Sequence, residues 1–117
     1  NNSFYLARAY LSLGKLYNDT SKHSFAEEDL LIALEEAVKI RDVSLQVDIY
    51  KELLNCYILC NDDRSIDRIV EEVKETATKN SKINEMKDIF FQAAHYYINK
   101  DIEKSASLLK FSLNMIT

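Results

Sequence analysis

Tyr10-Leu11-Ser12-Leu13-Gly14-Lys15-Leu16-Tyr17 decides the fold of this chain. Two aromatics seven residues apart bracket an apolar residue and the only glycine of the sequence. The stretch has no alternation of apolar and polar residues, and its three- and four-residue steps are those of a helix. Its frame returns 40 residues later as Tyr50-x2-Leu53-Leu54-x2-Tyr57. It returns again as Phe90-x2-Ala93-Ala94-x2-Tyr97, or one residue earlier, ending at Tyr96. The turns keep step, with Asn61-Asp62 recurring as Lys100-Asp101.

The same periodicity runs through the rest of the chain. Phe4, Leu6, Ala7, Tyr10, Leu13, Leu16 and Tyr17 predict a first helix from about Ser3 to Asn18. Ser24-Phe25-Ala26-Glu27 reads as a capping box opening a second helix, from Phe25 to about Ile40. A third follows from Leu45 to about Leu59, and a fourth carries Ile66, Ile69, Val70, Val73 and Ala77 before Lys79-Asn80-Ser81 breaks it. A fifth runs from about Ile83 to Ile98 and a sixth from Ile102 to Ile116. Six helices joined by short turns make three consecutive hairpins. One glycine and no proline exclude the turn-rich all-β folds and the glycine-rich connections of doubly wound α/β folds.

Composition narrows the function. The chain has 117 residues, 47% of them hydrophobic and 29% charged, which suits one folded domain and excludes a disordered one. Its net charge is −4, and its lysines form no basic stripe, so direct nucleic-acid binding is not expected. No apolar run approaches the ~20 residues of a membrane span, and Asn1 to Ser3 lack signal-peptide character. Catalytic motifs and cofactor-binding motifs are missing, and one glycine cannot cradle a phosphate. The reading is therefore a binding protein, not an enzyme, without cofactor or metal. Cys56 and Cys60 stand i, i+4 on one helix, with His23 and His95 far away in sequence. They read as small core residues in a reducing cytoplasm.

The repeated frame resembles the tetratricopeptide repeat (TPR) family, whose pattern is W-x2-L-G-x2-Y followed by A-x3-F. The first unit matches with Tyr10, Leu13, Gly14 and Tyr17, then Ala26-x3-Leu30. The second continues with Ile66-x3-Val70 and the third with Ser105-x3-Leu109. The period exceeds the ~34 of the commonest form, and armadillo and HEAT hairpins share the longer one; Tyr10-x2-Leu13-Gly14-x2-Tyr17 favours TPR. The resemblance implies an all-α, right-handed superhelical stack of three hairpins, with repeats at about 3–40, 44–79 and 82–116 in a single domain. Longer units of this kind resemble the C-terminal repeat domains of peptide-sensing regulators of Gram-positive bacteria. These include transcription regulators and aspartate phosphatases acting on response regulators. The chain would then be a fragment of a longer cytoplasmic protein that binds a peptide or protein segment. The alternatives are a scaffold that only self-associates and a part of a phosphatase-type regulator.

In such a stack the first helix of each hairpin lines a concave face. Counting away from the packing residues puts Arg8, Lys15 and Asn18 there in the first unit, Lys51 and Asn55 in the second, and Lys87, Phe91, Ala94 and His95 in the third. Asn55 is the sharpest candidate, because one amide both donates to and accepts from an extended peptide backbone. Lys51 and Lys87 suit a carboxylate. The last helix carries Leu108, Leu109, Phe111, Leu113, Met115 and Ile116, too many apolar residues for one buried face. Its outer side is expected to meet another repeat or a second copy of the chain, giving a homo-oligomer.

Overall fold

A computed structural model describes residues 2–79, 84 and 86–116. Among them the chain is all-helical, without a strand: α1 (Asn2–Asp19), α2 (His23–Lys39), α3 (Val43–Leu59), α4 (Asp63–Lys79), α5 (Lys87–Tyr97) and α6 (Ile102–Ile116). The break expected at Asn80-Ser81, the fifth-helix start at Ile83 and the third-repeat start at residue 82 lie outside the described residues. The helices fall into two compact units, Asn1–Asp62 and Asp63–Thr117.

In the first unit α1 packs on α2 and α3, and α2 on α3. Small residues set how closely they approach. Ala7 and Gly14 on α1 and Ala26, Ala33 and Ala37 on α2 are buried, with Leu30 fully enclosed beside Gly14. A Cβ built on Gly14 would lie 2.5 Å from both Cγ and Cδ2 of Leu30, well inside ordinary carbon contact distances. The glycine is therefore required by helix approach; its φ is not positive. On α3, Leu45, Ile49, Leu53, Leu54, Cys56 and Tyr57 complete the core.

The first three helices end in the same way. Ser21, Arg41 and Asn61 take positive φ of 63°, 55° and 53°. Their N–H groups bond back to the carbonyls of Asn18, Val38 and Ile58, and those of Lys22, Asp42 and Asp62 reach Tyr17, Ala37 and Tyr57. This paired pattern is the Schellman motif, usually closed by glycine. A chain with one glycine closes it with ordinary side chains, which cost about 1–2 kcal/mol each in that conformation. Asp42 then caps α3, its Oδ1 accepting from the N–H of Leu45 at 3.0 Å, and Asp101 caps α6 through Lys104 at 3.1 Å.

The capping box expected at Ser24 does not form. Helix α2 starts earlier, at His23, and Lys22 at its N-cap makes no side-chain cap. Glu27 is drawn away by a stronger partner, accepting a 2.6 Å bond from the Tyr57 hydroxyl. The equivalent bond recurs in the second unit, where Tyr97 donates to Asp67 at 2.7 Å. Donor and acceptor are 30 residues apart in both cases, and both members shift by the 40-residue period. Tyr97, not Tyr96, is therefore the counterpart of Tyr57 in the repeated frame. Tyr97 is buried with Phe90, Ala93 and Ala94, and the Ser105 hydroxyl donates to the Ala94 carbonyl at 2.8 Å where α6 crosses α5.

Candidate functional site

The sequence makes α1 amphipathic in the wrong register. Its buried stripe is Ala7, Leu11, Gly14 and Asn18. Phe4, Leu6, Leu13 and Leu16, expected to pack inward, are instead exposed at 37–54%, and Tyr5 at 72%. Ala7 and Gly14 in that stripe permit a close approach to α2, with Leu11 buried between them, and the other large side chains of α1 lie outside the stripe. Tyr5, Leu6, Leu13 and Leu16 share one broad side of the helix, while Phe4 points elsewhere, with the Arg8 guanidinium 5.8 Å from its ring centroid.

Lys15 and Asn55 are exposed, as is Arg8, while Lys51 is half-buried one turn before Asn55 on α3. Asn18 is not on an open face. It is buried, its Nδ2 donating to the Glu52 carbonyl at 3.3 Å and its Oδ1 meeting Nδ1 of His23 at 3.1 Å. The last turn of α1 rotates it toward α3, where a polar side chain must find partners. Asn18 therefore ties α1 to its neighbours and is not part of an open face for a peptide.

In the second unit Phe91 and Lys87 lie one turn apart on α5, Lys87 half-buried and Phe91 39% exposed. Phe91, Ala94, His95, Ile98, Ser105 and Leu109 line a pocket of about 200 Å³ between α5 and α6. Leu109 and Leu113 leave the outer side of α6 apolar, as the sequence suggests, whereas Leu108 is buried and Phe111 stacks on Phe90 with centroids 4.9 Å apart. The side chain of Ile116 lies outside the described residues.

Polar groups on the other side of this unit form a ladder. Tyr96 donates to Asp63 at 2.6 Å, and Lys100 reaches both the Tyr96 oxygen at 2.6 Å and Asp63 at 3.4 Å. Lys104 pairs with Asp67 at 2.8 Å. The Tyr96 bond, then Lys100, hold Asp63 below the ordinary carboxylate range. Burial, then the bond to Asp67, pushes Tyr97 well above the ordinary phenol range. These groups are mutually satisfied and hold α4, α5 and α6 together.

The cysteines carry the largest departure from the sequence reading. His23 is remote from them in the chain, yet the fold sets it beside both: one ring nitrogen and the two sulfurs lie within 4.8 Å of one another. Cys56 is buried and Cys60 exposed, so only the first is a core residue. Pairing α2 against α3 brings the start of one helix to the end of the other, which separation in sequence conceals. No helix among the described residues is long and apolar enough to cross a membrane. No protein-family model, curated protein or solved structure matches the chain.

Proposed function

We propose that this chain is a TPR-type helical-repeat module that binds a peptide or protein segment, as the ligand-sensing part of a regulator. The observation that carries the reading is the exposed apolar side of α1. Tyr5, Leu6, Leu13 and Leu16 share one broad side of the helix, away from its buried stripe, and stay exposed. Exposed apolar faces of this kind mark protein-interaction surfaces. In the same unit the exposed amide of Asn55 supplies the backbone-type hydrogen bonds that an extended segment needs.

Binding of fluorescent peptides from a random library, read by polarisation, tests the proposal. Selected peptides should lose affinity with Leu13→Glu, with helicity retained. A library that yields no saturable binder, or binders indifferent to that change, would remove the reading. The exposed Leu109 and Leu113 favour a second reading, self-association through α6. Light scattering over a concentration series separates the two: a dimer abolished by Leu113→Glu supports self-association, and a monomer at every concentration excludes it.

A further inference from the structure

We infer that His23, Cys56 and Cys60 form a binding site for a thiophilic divalent cation of the zinc class. Their ligand atoms already lie within 4.8 Å of one another. Tetrahedral zinc, with arms of about 2.3 Å to sulfur and 2.0–2.1 Å to nitrogen, sets ligand atoms about 3.5–3.8 Å apart. Side-chain rotations closing roughly 1 Å would therefore complete the set. Two cysteines one helical turn apart point to the same side of α3, as paired ligands on a helix face must.

The surroundings are those of a ligand set, not of an accidental cluster. His23 is oriented by a second residue. The Asn18 amide is fixed because its Nδ2 donates to the Glu52 carbonyl, which turns its Oδ1 toward His23. An oxygen there can only accept, so Nδ1 of His23 carries the proton and Nε2 keeps a free lone pair. This is the outer-shell arrangement that sets the tautomer of metal-bound histidines. It also gives buried Asn18 a role that packing alone does not require. The three residues open on a pocket of about 200 Å³ that is also lined by Glu27 and Asp62, which provides an entry path and room for water or a carboxylate in the fourth position.

Binding balances simply. Two S–H protons leave to solvent as two metal–sulfur bonds form, Nε2 gives a lone pair, and two thiolates neutralise the dication.

The test is a cobalt(II) titration of the reduced, chelator-treated 117-residue chain, followed by zinc(II) displacement. We expect one saturable ion per chain, thiolate-to-cobalt charge transfer in the near ultraviolet, tetrahedral visible bands and full displacement by zinc. Cys60→Ser changes an exposed residue and keeps the fold. It should lose about half the charge-transfer intensity and weaken zinc by more than about 100-fold, beyond the cost of losing an outer-shell partner. His23→Gln should weaken binding while keeping the charge transfer. No charge-transfer band in the parent chain, a band unchanged in Cys60→Ser, or one ion shared by two chains would each overturn the assignment.

Discussion

Gly14→Ala is the most exacting test of how the first unit is assembled. Replacing a helix-interior glycine with alanine normally gains about 0.5–1 kcal/mol. Here the new methyl would lie 2.5 Å from Cγ and Cδ2 of Leu30, with Cδ1 at 3.3 Å. Leu30 is fully buried, and the crowded Cγ is its branch point, so no flexible end can swing away. Restoring ordinary contact means moving α1 and α2 apart by roughly 1 Å, and such overpacking costs about 1–3 kcal/mol. The net expectation is a loss of about 1–2 kcal/mol, or ~0.5–1 M in the urea midpoint followed by far-ultraviolet circular dichroism. The sign should reverse when the obstacle is removed. In a Leu30→Ala background, itself about 2–5 kcal/mol less stable, Gly14→Ala should stabilise by about 0.5–1 kcal/mol. Gly14→Ala that is neutral or stabilising in the parent chain, or equally harmful in both backgrounds, would refute the close-approach account.

Arg41→Gly should raise stability by about 0.5–1 kcal/mol, because the left-handed cost it relieves exceeds the chain entropy that glycine adds; thermal melting checks this. Tyr57→Ala should cost about 3–5 kcal/mol as a buried aromatic truncation, whereas Asn55→Ala should change stability by less than about 0.5 kcal/mol. In peptide titrations Asn55→Ala should weaken binding by about 1–3 kcal/mol if its amide is buried by the ligand. Alkaline pH should destabilise the second unit through Tyr97. Its phenol is raised in the folded state, so its contribution is complete below the unfolded value near pH 10 and is lost as pH rises beyond it. Tyr97→Phe should flatten the fall in urea midpoint above pH ~10, and an unchanged slope would remove Tyr97 as its source.

Helix number and type were legible because period and turn residues agreed along the chain. The ends were less so. Ser24 and Glu27 form a capping box on paper, but a tyrosine 30 residues away competes for the carboxylate and wins with a shorter bond. The inward face of α1 was misread because side-chain size outweighed number there. Large apolar residues outnumber small ones, yet the buried stripe is Ala7, Leu11, Gly14 and Asn18, with Gly14 held against Leu30. The exposure of Asn55, Lys15 and Phe91 followed from helical spacing alone. The burial of Asn18 did not, because it depends on which helix crosses the last turn of α1. The gathering of His23, Cys56 and Cys60 is tertiary in the same sense. Its one sequence signal was the i, i+4 cysteine pair, which puts both sulfurs on one helix face.

The tyrosine–carboxylate bond has a consequence for where this chain can be cut. Glu27 and Tyr57 lie on either side of the division that the sequence period suggests near residues 40–44, and Asp67 and Tyr97 on either side of the next. Each bond straddles the boundary that the 40-residue period draws, and each lies wholly within one of the two compact units. The building block is thus offset from the sequence repeat by half a period. A truncation or graft made between α2 and α3 would strand a carboxylate from its hydroxyl and expose the face that Tyr57 fills. One made between Asp62 and Asp63 keeps both pairs intact. Engineers dividing the protein, or splicing its pieces into other helical arrays, should work with helices in threes and ignore the two-helix cadence of the sequence.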